Sequence, residues 1–168
     1  MLEGLSPAPV VTGEVRPGLA VLYFYQLYRH IKEMPVGEEA IAKGVPGPAI
    51  PYLDHRFGVG RVFDSGEVQG VGMQLSGLIH FAAPGTYQLL SRSNDGFRLF
   101  LDGRLALDDP HVHQDHTSDP VSVRIQEPGW YPVLIQYFQR KGSATLELHW
   151  QPPGSAAPVP IPAAAYGH

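Results

Sequence analysis

The sequence predicts an all-β protein, an antiparallel β-sandwich or barrel with long loops and one short helix. From residue 71 onward, apolar and polar side chains alternate, as they do in strands that have one face on a core and the other in water. The chain holds 19 glycines and 17 prolines in 168 residues, which supplies many turns between short strands. No sustained helical pattern separates these strands, and this combination is typical of sandwiches and barrels.

The first seventy residues are less regular. The apolar run at residues 19–25 predicts a buried strand, and the spacing of apolar residues from 24 to 34 predicts a short helix after it. Residues 36–51 are rich in glycine and proline, which predicts a long surface loop.

The later strands are separated by residues that favour turns. Residues 97–101, 121–125 and 144–150 read as strands, and Asn94-Asp95-Gly96 and Glu127-Pro128-Gly129 are among the turns. We therefore predict one domain over residues 18–154. Proline-rich tails at 1–17 and 155–168 either cover its surface or lead to a neighbour, because proline cannot donate to a sheet.

Composition excludes several classes of function. Twelve Lys and Arg against 16 Asp and Glu give a formal charge of -4, which offers no footprint for nucleic acid. No apolar stretch approaches the ~20 residues of a membrane span, so we expect no membrane insertion, and no signal peptide is visible. The chain has no cysteine, which excludes thiolate chemistry.

A histidine-rich stretch at residues 108–119 is the sharpest local signal. His111, His113, Asp115 and His116 form the pattern H-x-H-x-D-H, which is similar to the zinc-ligand pattern of metallo-β-lactamase-like hydrolases. In that family a helix follows, whereas residues 121–125 here read as a strand. A polar loop is therefore the favoured interpretation, with these four residues as a weak alternative cluster for a transition metal. We predict no catalytic residues and no enzyme.

The turn at Asn94, Asp95 and Gly96 is the second candidate site. An acid beside an amide presents oxygen ligands, which suits calcium more than zinc. An ordinary turn, in which Asp95-Gly96 supplies the backbone geometry, explains the same residues.

Several motifs, in order, resemble the protective-antigen (PA-fourteen) domain family, which includes modules of anthrax toxin protective antigen, yeast flocculins and adhesins, and glycosidases. They are the G-x-I strand at 77–79, the P-G-T-Y turn at 84–87, the S-N-D-G turn at 93–96 and the R-L-F-L-D-G strand at 98–103. The P-G-W turn at 128–130 and the closing hairpin up to residue 150 follow.

The resemblance implies a β-sandwich that acts as a non-enzymatic, extracellular or cell-surface recognition module for carbohydrate. In lectin-active members, the adjacent aspartates of S-D-D-G, often joined by a cis peptide, bind a calcium ion that sugar hydroxyls complete. Those positions here are Asn94 and Asp95, with Gly96 beside them. The amide at Asn94 removes one negative charge, and calcium affinity depends on the charge of its ligands.

Two function classes rank ahead of a metal-dependent hydrolase. The first is a module that binds a glycan or cell-surface polymer at Asn94 and Asp95, with Ca²⁺ as its cofactor. The alternative is a structural or protein-interaction module of a cell-envelope or extracellular assembly, whose tails contact other copies or domains of a parent protein. A sugar site also favours an aromatic ring beside its polar groups, for which Tyr52, Phe57, Trp130 and Tyr131 are candidates.

Overall fold

Two antiparallel sheets pack face to face in the computed structural model, which describes residues 1–10 and 12–168. The strands of the seven-stranded sheet are β1 (Leu19–Tyr25), β2 (Val45–Ile50), β4 (Val71–Phe81), β6 (Phe97–Leu101), β7 (Arg104–Asp109), β10 (Gly129–Gln139) and β13 (Tyr166–Gly167). Their order is β2-β1-β4-β10-β6-β7, with β13 also paired to β4.

The six-stranded sheet has the order β12-β11-β5-β8, with β3 paired to β11 and β9 paired to β5. Its strands are β3 (Asp54–Gly58), β5 (Gly85–Asn94), β8 (His116–Thr117), β9 (Val121–Ile125), β11 (Ala144–Gln151) and β12 (Val159–Pro160). The prediction of an all-β antiparallel sandwich is confirmed.

Alternation along the strands builds the core between the sheets. In β10, Tyr131, Val133, Ile135 and Tyr137 face the main core, and Phe138 points to the opposite side of the sheet. There it packs in a second, smaller cluster that covers part of the outer face of the seven-stranded sheet. The members of this outer cluster are Phe24, Tyr28, Ile31, Met34, Ala40 and Phe138.

Residues 36–51 do not form the predicted loop, and this prediction was wrong. They form helix α1 (Gly37–Lys43) and the edge strand β2. The prolines of β2 are tolerated because an edge strand has one side without ladder hydrogen bonds. The helix predicted within residues 24–34 is only a 3₁₀ turn, Ile31–Glu33. Within the described residues, no helix is long and apolar enough to cross a membrane.

Both proline-rich segments cover the sandwich. Near the start of the chain, Leu2 and Leu5 are buried, and the N–H of Leu2 donates to the carbonyl of Ser122. Near the other end, Ile161 and Tyr166 are buried in the main core. Of the two roles predicted for these segments, the structure therefore shows the first.

Candidate functional site

The turn between β5 and β6 contains the predicted site residues. The peptide bond between Asn94 and Asp95 is cis. Asp95 is 3% exposed, whereas Asn94 is only partly buried. A Cβ atom at Gly96 would lie 2.3 Å from the Phe138 ring, so this position accepts only glycine without displacement of the ring.

The carboxylate of Asp95 joins this turn to two further loops. Its Oδ2 accepts the backbone N–H of Arg140 at 2.7 Å, just after β10. Its Oδ1 accepts the backbone N–H of His113 at 3.3 Å, in the loop between β7 and β8. Burial raises the pKa of Asp95 above the usual range, against the opposing effect of the two N–H donors. Asp95 is thus the shared acceptor at the base of three loops.

Strand β10 fixes the backbone of the same turn. The N–H of Asp95 donates to the carbonyl of Phe138 at 2.8 Å, and the N–H of Phe138 donates to the carbonyl of Gly96 at 3.0 Å. The hydroxyl of Tyr137 donates to the carbonyl of Asn94 at 2.7 Å. We call the backbone of residues 94–96 together with the Asp95 carboxylate the site floor.

The four residues of the predicted transition-metal cluster do not all come together: His111 and Asp115 have other partners. The His111 ring packs edge-on against the His30 ring, with centroids 4.7 Å apart. Asp115 accepts hydrogen bonds from Arg92 Nε at 2.7 Å and from Thr145 Oγ1 at 3.1 Å. Burial opposes ionisation of Asp115, but these donors outweigh it and lower its pKa.

His113 and His116 do converge, on a residue that the motif did not include. Oδ2 of Asp109 lies 3.0 Å from Nε2 of His113 and 2.8 Å from Nε2 of His116. The sequence signal for this group is Asp-x₃-His-x₂-His, which begins at the last residue of β7. It was missed because the extent of β7, which positions Asp109, depends on its pairing with β6.

A polar groove of about 390 Å³ lies beside this group, between β7 and the β8–β9 segment. Carboxylates, hydroxyls and an imidazole line it, contributed by Asp108, Asp109, His116, Thr117, Ser118 and Asp119. We call it the β7–β8 groove. It offers many hydrogen-bond acceptors and several donors in one concave surface.

The site floor offers calcium one carboxylate, that of Asp95. Calcium takes 6–8 oxygen ligands, usually with several carboxylates. Both oxygens of Asp95 already accept N–H donors. Among the described residues, the groups of three converging His, Asp or Glu side chains are Asp109–His113–His116 and Asp54–Glu147–His149, and Asp95 is in neither. Calcium binding at Asn94 and Asp95 stays a prediction.

The predicted aromatic rings differ in accessibility. Tyr131 is fully buried in the main core and cannot contact a ligand. Trp130 packs against His80, with ring centroids 4.8 Å apart. Tyr52 is 41% exposed and stacks on His55 at 5.0 Å, and Phe57 stacks on the same imidazole at 5.4 Å. Tyr52 is therefore the most exposed ring of the four.

Together, the fold and the site define a β-sandwich domain whose polar groups meet where several loops converge. A family model, the PA14 domain, matches residues 64–163. The chain belongs to the PA14 domain family, which confirms the resemblance seen in its motifs.

Solved structures share this fold at low sequence identity. An anti-sigma factor domain-containing protein has a TM-score of 0.73 and 18% identity over 90% of this chain. The "PA14 sugar-binding domain from RTX adhesin" has a TM-score of 0.63 and 18% identity, over 90% of this chain and 98% of that one. The Epithelial Adhesin 9 A domain from Candida glabrata, in complex with Galb1-3GlcNAc, has a TM-score of 0.72 and 11% identity, over 99% and 95%.

This chain spans only 47% of the anti-sigma factor domain-containing protein. A second protein described in the same words, from Clostridium clariflavum, is also covered to 47%, with a TM-score of 0.69 and 15% identity over 90% of this chain. No curated protein matches the sequence. At these identities the structural likeness shows the fold.

Proposed function

We propose that this chain is a non-enzymatic carbohydrate-recognition domain that binds a glycan or cell-surface polymer at the loops above the site floor. Membership of the PA14 family supports the proposal, as do the sugar-binding domains among its structural neighbours. The main structural support is the position of Asp95. Its carboxylate lies in the 94–96 turn and accepts hydrogen bonds from the β7–β8 loop and the β10–β11 loop.

The chemistry of the β7–β8 groove suits a sugar. Each sugar hydroxyl both donates and accepts hydrogen bonds, so a carbohydrate site needs acceptors and donors close together. Asp119 is exposed on the groove and has no ion-pair partner among the described residues, so its carboxylate is open to a ligand hydroxyl. Thr117 and Ser118, which precede Asp119 in the chain, also line the groove and add hydroxyl groups.

An extracellular or cell-surface setting follows from this role, since relatives of the same fold include adhesins. The alternative role, an assembly module with tails that contact other copies, has less support. That role requires terminal segments that are free to contact other copies. In the structure, both segments pack on the chain's own sandwich.

The test is binding to a glycan array, followed by calorimetric titration with Galβ1-3GlcNAc and lactose, with calcium and with EDTA. We expect saturable binding of a glycan by the wild type, reduced at least tenfold in Asn94→Ala and Asp119→Asn. Asp64→Asn, on an exposed loop outside the groove, is the matched control and should bind like the wild type.

The calcium and EDTA arms separate two versions of the proposal. Binding abolished by EDTA would assign a cation to the site, whereas binding unchanged by EDTA would assign recognition to protein groups alone. Failure to bind any glycan on the array, or full binding by both variants, would reject the proposed site.

A further inference from the structure

We propose that Asp109, His113 and His116 form a binding site for a transition-metal ion of the zinc class. Three potential ligand atoms converge here. Oδ2 of Asp109 lies 3.0 Å from Nε2 of His113 and 2.8 Å from Nε2 of His116. Zinc bonds to nitrogen and carboxylate oxygen are about 2.0–2.2 Å, so tetrahedral ligands lie about 3.3 Å from one another. Both distances from Asp109 are slightly shorter than that, and all three ligand atoms lie within 4.8 Å of one another.

Hydrogen bonds to the far side of each ring orient both imidazoles. Nδ1 of His113 lies 2.7 Å from the carbonyl oxygen of Gln114, and Nδ1 of His116 lies 3.2 Å from the same oxygen. A carbonyl can only accept, so each Nδ1 carries a proton. In the neutral rings, both Nε2 lone pairs then face the Asp109 oxygen, which also can only accept, so the arrangement is repulsive unless a cation lies between the three atoms. Metal-ligating histidines have this same arrangement, with the second nitrogen donating to a carbonyl or carboxylate.

The group is incompletely satisfied without a cation. Nε2 of His113 and Oδ2 of Asp109 are both buried, and neither has an aligned hydrogen-bond partner among the described residues, although they are 3.0 Å apart. Buried polar atoms without partners are rare and costly. A metal ion between these three atoms would satisfy all of them at once.

The surroundings favour zinc over calcium. Two imidazole nitrogens and one carboxylate oxygen form an N₂O set, which suits zinc and related transition metals, whereas calcium prefers oxygen ligands. The side chain of His116 is 46% exposed, so a fourth position is accessible to water from that side.

The other converging group, Asp54–Glu147–His149, differs in its charge environment. Glu147 Oε2 accepts a hydrogen bond from Arg56 Nε at 2.9 Å, and Glu147 Oε1 lies 3.1 Å from His149 Nε2. The guanidinium already compensates the carboxylate and repels a cation. This group therefore serves as an internal control.

The proposed ion would secure the loop that contacts the site floor. His113 contributes its imidazole to the proposed site and its backbone N–H to Asp95. Metal bound at Asp109 would hold the loop against the end of β7. This inference concerns metal binding alone and does not depend on the proposed carbohydrate ligand.

The experiment is calorimetric titration of the metal-free chain, prepared without a histidine tag, with Zn²⁺ at a pH above the ordinary histidine pKa of about 6.5. We expect one equivalent to bind. Asp109→Asn and His116→Gln should each weaken binding by about 100-fold, since loss of even an outer-shell partner costs about 10- to 100-fold. His111→Gln in the same loop and His149→Gln in the other group should bind like the wild type.

Imidazole ¹⁵N NMR provides a second readout, and the dispersion of the backbone amide signals shows whether each variant is folded. Zinc should shift Nε2 of His113 and His116, and the metal-free rings should carry their protons on Nδ1. The proposal is overturned by no binding to the wild type, by full affinity in both cluster variants, or by loss of binding in His149→Gln. Metal-free rings protonated on both nitrogens above that pH would also overturn it, because the group would then be an ordinary ion pair.

Discussion

The backbone N–H of Arg140 donates to Oδ2 of Asp95 at 2.7 Å, across 45 positions of the chain. This bond joins the end of β10 to the turn between β5 and β6, so a long-range contact sets the shape of the site floor. The same carboxylate accepts from His113. Asp95 is therefore a structural residue as well as a candidate binding residue, and experiments on it must separate the two roles.

Replacement of Asp95 by alanine should destabilise the fold. The substitution leaves the N–H groups of His113 and Arg140 without their acceptor, which we expect to lower the free energy of unfolding by about 2–5 kcal/mol. Urea unfolding measures the change. Asp64→Ala, at an exposed position, is the control and should change stability by less than about 0.5 kcal/mol. An equal effect of the two substitutions would contradict this role for Asp95.

Acidification should lower the stability of the fold through protonation of Glu147. Burial opposes its ionisation most strongly, but hydrogen bonds with Arg56 and His149 outweigh that effect and hold its pKa below the ordinary 4.5. A depressed pKa means that the ionised form stabilises the fold. The stabilisation by ionised Glu147 is fully present above pH 4.5. It disappears as the pH falls from 4.5 through the lowered pKa of Glu147 in the folded state.

With Glu147→Gln, the free energy of unfolding should therefore depend less on pH in the acidic range. At neutral pH the substitution should lower the free energy of unfolding by about 1–3 kcal/mol, and the difference from the wild type should shrink below the ordinary pKa. Denaturant unfolding over that pH range gives both curves. Glu38→Gln, on the exposed face of α1, should run parallel to the wild type, and a parallel curve for Glu147→Gln would refute the assignment.

Substitutions of Tyr166 can separate the contribution of its ring packing to stability from the cost of its unpaired hydroxyl. Its side chain is buried, and its hydroxyl has no hydrogen-bond partner among residues 1–10 and 12–168. Tyr166→Phe should thus raise the free energy of unfolding by about 1 kcal/mol, since the unpaired hydroxyl is removed. Tyr166→Ala should lower it by about 3–5 kcal/mol through loss of core packing. Thermal unfolding of the pair measures both signs, and a Phe variant as unstable as the Ala variant would point to an unseen partner for the hydroxyl.

Calcium affinity should respond to the charge of residue 94. Asn94→Asp places a second carboxylate beside Asp95, and calcium affinity rises with the charge of its ligands. We expect calorimetry to show at least tenfold tighter calcium binding than in the wild type. Asn94→Ala adds no carboxylate and leaves Asp95 intact, so it should bind calcium no more tightly than the wild type. Equal affinity of all three proteins would mean that this turn is not a calcium site.

The sequence was informative wherever local chemistry decides the structure. Alternation in β9 and β11, and the turns at Asn94-Asp95-Gly96 and Glu127-Pro128-Gly129, were sufficient to predict the sandwich. Residues 45–50 were not recognised as a strand, because their prolines are acceptable only at a sheet edge and edge position is a tertiary property.

The site was harder to predict because its contacts join distant segments. The sequence named Asn94, Asp95, His113 and His116 as candidates, but it did not indicate that Asp109 lies against both histidines. Nor did it indicate that Asp115 pairs with Arg92, which is 23 residues away. A spacing motif describes neighbours along the loop, whereas the register of β6 with β7 decides which of those side chains meet.

Both donors to the Asp95 carboxylate are main-chain groups. The floor consequently specifies the path of the two loops through their main chain, and proline is the residue type that positions 113 and 140 could not accept, because it lacks the N–H donor. Residues 111, 112, 114 and 141 also lie in these loops and are exposed or partly so. Substitutions at these four exposed positions would therefore change the outer surface of the loops while the base beneath them stays the same.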